Sequence, residues 1–153
     1  MFIVTTKFSK KKALLIVLII SLIIGTIILL AGRRDQENAS LKVETEADIL
    51  AHLETLGWEV APEALEIQAV LIPREFSDIF EAYNDLQREA GFDLRNYRGR
   101  EAIRYTYRIL NHPDQTEGVI VDVLVAEGRI IGGDIQSIHQ DGFMHSLIKR
   151  QGA

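Results

Sequence analysis

The chain has 153 residues, enough for one ordinary domain, and a net charge of −5 at pH 7. It contains no cysteine, which excludes disulfides, thiolate metal sites and a thiol nucleophile. All 22 acidic residues and 13 of the 17 basic ones lie beyond residue 32, and so acidic a segment disfavours nucleic acid and anionic lipid headgroups as general partners.

Ala13 to Ala31 reads ALLIVLIISLIIGTIILLA, without a charge and with only Ser21 and Thr26 as polar side chains. As a helix it would be about 28 Å long, close to the hydrocarbon thickness of a bilayer. The spacing predicts a transmembrane helix over 13–31. Its exit, Leu30-Ala31-Gly32-Arg33-Arg34, makes a poor signal-peptide cleavage site, so an uncleaved anchor is favoured over a removed leader. Lys7, Lys10, Lys11 and Lys12 precede the span and only Arg33 and Arg34 follow it. That asymmetry predicts a cytoplasmic tail over 1–12 and a C-terminal domain outside the cytoplasm, in a single-pass arrangement whose partner is the lipid bilayer.

Residues 32–44 are polar and aperiodic and read as a linker. They include Asn38-Ala39-Ser40, a glycosylation sequon by spelling that arises often by chance. The extracytoplasmic domain is expected over 45–150. Thr45 and Asp48 form a variant capping box, followed by Ile49, Leu50, Leu53 and Leu56 at helical spacing and Gly57 as a stop. In Leu65–Ile72, Leu65, Ile67, Ala69 and Leu71 alternate with Glu66, Gln68, Val70 and Ile72, as in a half-buried strand. After Pro73 a second helix places Phe76, Ile79, Phe80, Tyr83, Leu86 and Ala90 on one stripe, and Gly91 closes it. Asp93 to Gly99 reads as a turn or helical corner.

The period then changes. Ile103, Tyr105, Tyr107 and Ile109 share one face, with Arg104, Thr106 and Arg108 on the other. Val119, Val121, Val123 and Val125 mark a second strand, Glu127-Gly128 a tight turn, and Arg129–Ser137 a last strand. The expected fold is α+β, in the order α-β-α-β-β-β, with two helices packed on one face of an antiparallel sheet. Trp58, Phe76, Phe80, Tyr83, Tyr105 and Val123 are the expected core.

Several segments resemble one family: Gly57-Trp58, Pro73 with Phe76, Tyr83-Asn84 with Leu86-Gln87, Gly91-Phe92-Asp93-Leu94, Tyr105-Thr106-Tyr107, Ile131-Gly132-Gly133-Asp134 and Asp141-Gly142-Phe143-Met144-His145. They are similar to an uncharacterised domain-of-unknown-function family of membrane-anchored or secreted proteins of Gram-positive bacteria, over about residues 49 to 147. The resemblance implies an anchored, extracytoplasmic domain. It carries no activity, and therefore no functional residue.

No motif supplies a catalytic set, a cofactor site or a metal site. His52, His112, His139 and His145 match no zinc spacing, and the C-terminal histidines read as a polar loop facing water. Ser137, Ser146 and Thr106 lack a nucleophile elbow and a base placed by sequence. Gly132-Gly133 reads as a strand bulge or a point of close backbone approach. The tyrosines and phenylalanines read as core, or as the lining of a sugar or peptide groove.

The polar sheet face is the constellation that points to binding. Asp122 interrupts an apolar strand and must be solvated or paired. A register pairing Tyr107 with Val123 and Ile109 with Val121 sets Arg108 opposite Asp122 and Thr106 opposite Leu124. A bulge at Gly132-Gly133 would bring Asp134 beside them and return Ile135 to the core. Arg108, Asp122 and Asp134 are thus the candidate binding residues, either as a structural ion pair or as a shallow site for a charged small molecule or peptide end. Two functions follow. One is a membrane-tethered binding or protein-interaction module, with an envelope protein or peptide as ligand. The alternative is an envelope-acting hydrolase using carboxylates such as Asp122 and Asp134.

Overall fold

Val119–Ala126 (β3) alternates Val119, Val121, Val123 and Val125 with Ile120, Asp122, Leu124 and Ala126, and all but Ile120 are buried. A strand apolar on both faces must be covered on both faces. In the computed structural model, which describes residues 16, 18–28, 41–115 and 117–148, β3 is the central strand of a five-stranded antiparallel sheet. The other strands are Glu66–Leu71 (β1), Glu101–Arg108 (β2), Arg129–Ser137 (β4) and Met144–Ser146 (β5). The spatial order β1-β2-β3-β4-β5 follows the chain. Helices Glu46–Thr55 (α1) and Asp78–Glu89 (α2) and a 3₁₀ turn at Leu94–Tyr97 complete an α+β domain.

The chain divides into two units, Met1–Ala39 and Ser40–Ala153. In the first, residues 18–28 are helical and their side chains are exposed. The two hydroxyls are held by the helix itself. Ser21 Oγ donates to the Leu18 carbonyl at 2.9 Å, and Thr26 Oγ1 to that of Leu22 at 2.8 Å. Neither adds an unsatisfied polar group to the apolar surface. No helix among the described residues is long and apolar enough to cross a membrane. The remainder of the 13–31 span, its flanking lysines and arginines, and the sequon lie outside the described residues.

The second unit begins before Thr45. Val43 donates its N–H to the Gly128 carbonyl and Ile130 donates to Leu41, so Leu41 to Val43, read from sequence as linker, pair with the start of β4. The β3–β4 turn places Glu127 and Gly128 at φ 53° and 69°, the two left-handed residues of a tight hairpin. Gly57, at φ 85°, ends α1 as its sequence position suggested.

The helices do not share a face of the sheet. Ile49 and Leu53 of α1 pack with Trp58, Tyr107, Val121, Val123, Ile135 and Leu147. Phe80 and Tyr83 of α2 pack with Leu94, Ala102, Leu124, Ala126 and Ile131, residues of the opposite face. The expectation of both helices on one face is corrected by the residues that alternate with the valines. Leu124 and Ala126 leave apolar surface on the second side, worth about 25 cal/mol per Å² removed from water.

The stripe of α2 is also rotated from the expected one. Ile79 is 84% exposed, while Asn84 and Gln87 are buried. Asn84 donates to Asp93 at 2.9 Å and accepts from the Leu94 N–H at 2.8 Å, which fixes the 3₁₀ turn beneath the helix. Gln87 Oε1 accepts from the Gly133 N–H at 2.7 Å. Of the expected core, Trp58 and Val123 are fully buried, whereas Phe76, Phe80, Tyr83 and Tyr105 are half-buried. In β1 the expected apolar side is the wrong one. Ile67 and Leu71 are 52% and 64% exposed, and Ile72 turns inward instead.

Candidate functional site

Asp122 and Asp134 are directly opposite one another on β3 and β4, on the face that α2 covers. Because Val121 and Val123 face α1, the pleat delivers Asp122 to the other side. Across the sheet it faces Thr106 of β2, whose hydroxyl donates to Asp122 Oδ1. Gln136 Nε2 donates to Asp122 Oδ2 at 3.1 Å, and Arg104 Nε lies 3.9 Å from the same oxygen. Asp122 is thus 5% exposed but well provided with donors.

Asp134 is 2% exposed and less well provided. Its Oδ1 accepts from the Tyr83 hydroxyl of α2 at 2.8 Å. Its Oδ2 is buried without a hydrogen-bond partner among the described residues, as are Arg104 Nε, Gln87 Nε2 and Ser146 Oγ. Ser146 of β5 stands opposite Asp134 on its far side. Burial pushes the Asp134 carboxyl up to about 6, helped by the charge of Asp122 and opposed by the Tyr83 hydrogen bond and by Arg104. Burial beside the same carboxylate raises Tyr83 as well, so its hydroxyl stays a donor.

Both aspartates and Tyr83 line an open cleft of about 350 Å³. Val70, Ile72, Phe80, Leu124 and Met144 make its apolar walls, and Tyr83, Arg104, Asp122, Asp134 and Gln136 its polar floor. Arg104 is anchored at the β1 side, donating through Nη2 to Glu66 at 3.0 Å and Gln68 at 2.8 Å.

Of the three residues singled out from sequence, Asp122 and Asp134 come together and Arg108 does not. Arg108 is exposed and stands opposite Ile120. The register is shifted by two residues from the expected one: Tyr107 pairs with Val121, Tyr105 with Val123, and Thr106 with Asp122. A two-residue shift leaves every side chain on its own face, so alternation alone does not choose between the registers. The bulge falls one step earlier than expected. Val125 pairs with Ile130 and Leu124 with Gly132, leaving Ile131 as the extra residue. Gly132 and Gly133 serve close packing instead. A Cβ on Gly132 would meet Gln87 Oε1 at 2.7 Å, and one on Gly133 would meet the Asp122 carbonyl at 2.4 Å.

Sequence reasoning missed Tyr83, Gln87, Arg104 and Gln136 as parts of this cluster. Gln136 had a signal, lying two residues beyond Asp134 on the same strand face. Tyr83 and Gln87 had one too, at i, i+4 on one helix.

Of the histidines expected in a water-facing C-terminal loop, His139 is exposed but His145 is half-buried. His112 is buried and stacks on Trp58 and Phe143, with ring centroids 5.9 and 4.6 Å apart. Its Nδ1 accepts from the Asp114 N–H at 3.3 Å, so Nε2 carries the proton and faces His145 Nε2 at 3.2 Å. His145 Nδ1 in turn donates to the Ser146 carbonyl at 2.8 Å. His52 is buried on α1 with neither ring nitrogen bonded among the described residues, and burial lowers its pKa. Among the described residues no three histidine or carboxylate groups stand together as a metal site. Thr106 spends its hydroxyl on Asp122, and Ser137 donates to Gln115 at 3.1 Å.

No curated protein and no solved structure matches this chain. Residues 52–135, which run from α1 to the second half of β4 and include both aspartates, match the family described as domain of unknown function DUF4830. The chain belongs to that family.

Proposed function

We propose that this chain is a membrane-tethered binding module, whose domain lies outside the cytoplasm and takes a small ligand in the cleft under α2. The tether rests on the uninterrupted apolar run of 13–31 and its lysine-rich flank. It also fits the resemblance to membrane-anchored or secreted proteins. The cleft is carried by one observation: Asp134, which lines a hollow with apolar walls, has a buried oxygen with no partner among the described residues. A small number of polar groups set in an apolar surround is the usual make-up of a ligand site. Two experiments test the two halves. Protease added to wall-stripped intact cells should degrade the domain, and alkaline carbonate should leave the chain in the membrane. Protection until lysis would reverse the orientation. For the cleft, a fragment screen by NMR on the full chain in micelles should move the resonances of Phe80, Tyr83 and Met144 together. Shifts confined to other surfaces would remove it.

The raised pKa of Asp134 favours a second reading, an envelope hydrolase in which it serves as general acid. Turnover of a chromogenic glycoside or peptide that Asp134→Asn abolishes in a folded protein would establish it. Equal rates in the two proteins would remove it.

A further inference from the structure

The polar floor of the cleft is unbalanced in charge and in hydrogen bonding. Two carboxylates, Asp122 and Asp134, face one guanidinium, Arg104, whose Nη2 serves Glu66 and Gln68 while its Nε, 3.9 Å from Asp122 Oδ2, bonds neither aspartate. Asp122 is supplied by Thr106 and Gln136. Asp134 has the Tyr83 hydroxyl on one oxygen and, among the described residues, nothing on the other. What Asp134 Oδ2 lacks is therefore a donor within reach, and one with positive charge would also balance the second carboxylate.

The walls set the rest of the ligand. Val70, Ile72, Phe80, Leu124 and Met144 offer no further charge, so beyond its polar floor the cleft of about 350 Å³ accepts an apolar body. Building on the reading of this cleft as the binding site, we infer that its ligand class is a primary amine with a short apolar body. The ammonium bonds Asp134 between Asp122 and Tyr83, and the carbon chain lies against Phe80 and Met144. A three-donor ammonium suits this floor better than a planar guanidinium, because the free acceptor is a single oxygen and not a paired set. An anion would meet both aspartates, and a neutral alcohol would leave the charge uncompensated.

The test uses three probes of nearly equal shape on the full chain in micelles, followed by NMR at neutral pH: butylammonium, butanol and butyrate. Butylammonium should give saturable shifts at Phe80, Tyr83 and Met144, and the other two should not. Asp134→Asn should weaken butylammonium by about tenfold or more, the value of one hydrogen bond to a charged group. Arg104→Gln, which removes the competing cation, should tighten it. If butanol or butyrate saturates the same residues as well as butylammonium does, the cleft is a site but its ligand is not an amine. If none of the three saturates those residues, the amine and the cleft fall together. Butylammonium binding that Asp134→Asn leaves unchanged would overturn the inference while leaving the cleft in place.

Discussion

Asp122 and Asp134 face each other across adjacent strands on the same side of the sheet, and of the two only Asp122 finds donors for both oxygens among the described residues. The difference between them sets the pH dependence of the fold. The Asp134 carboxyl is held at about 6 against an ordinary aspartate value of 3.8. The folded state therefore keeps a proton that the unfolded chain has lost. Below about pH 4 both states are protonated and Asp134 costs nothing. Between about 4 and 6 stability falls as pH rises, and above that the full penalty of about 3 kcal/mol applies. Asp134→Asn should remove this slope and raise the denaturation midpoint at pH 7. Urea unfolding at pH 4 and pH 7 measures it, and a variant less stable at pH 7 would contradict it.

His52 should act in the opposite direction. Its ring is buried and that burial lowers its pKa, so the unfolded chain binds a proton more readily than the folded one. Stability from this group is complete above about 6.5 and is lost as pH falls through the unfolded value. His52→Gln should flatten the acid limb of the stability curve without changing the limb that belongs to Asp134. Thermal melts across pH 5 to 8 would separate the two.

Gly133 should tolerate no side chain. Its added Cβ would stand 2.4 Å from the Asp122 carbonyl and 2.8 Å from Leu147 Cδ1, on the central pair of strands. Backbone does not yield as a flexible side chain does, so Gly133→Ala should cost several kcal/mol and leave little folded domain. A soluble, cooperatively melting Gly133→Ala protein would show that β3 and β4 are packed less closely.

The two arginines of β2 should behave differently. Arg108 is exposed, and Arg108→Ala should change stability by less than about 0.5 kcal/mol. Arg104 binds Glu66 and Gln68 of the edge strand and lies beside Asp122. Arg104→Ala should loosen β1, seen as faster amide exchange from Glu66 to Leu71. The reverse ranking would restore the register in which Arg108 faces Asp122.

The elements were legible in the residues, and their pairing was less so. Capping at Thr45, the stops at Gly57 and Gly91, and the Glu127-Gly128 turn are local chemistry, and each appears where the chain spells it. The second covered face was also written in β3, where Leu124 and Ala126 sit between valines, but the valines alone suggested a single core side. Register was not legible, because pairing Tyr107 with Val121 or with Val123 buries the same side chains. The helix α2 misled through its apolar count. Ile79 completes a stripe in sequence, yet the buried face is completed by Asn84 and Gln87, whose hydrogen bonds to Asp93, Leu94 and Gly133 exist only once the sheet is assembled. The short strand β5 had no signal of its own. It is held by pairing with β4, and Trp58 Nε1 donates to the Leu147 carbonyl just beyond it at 2.7 Å.

Everything said of the cleft depends on Asp134 lying buried under Tyr83 beside a second carboxylate. The most direct measurement is the side-chain carboxyl carbon resonance of Asp134, assigned by its loss in Asp134→Asn and followed by NMR from pH 3 to 8. The expected midpoint is about 6, with Tyr83→Phe moving it further up because the hydroxyl that favours the ionised form is gone. A midpoint near 4, unmoved by Tyr83→Phe, would mean that Asp134 is solvated and that the cleft has no such floor.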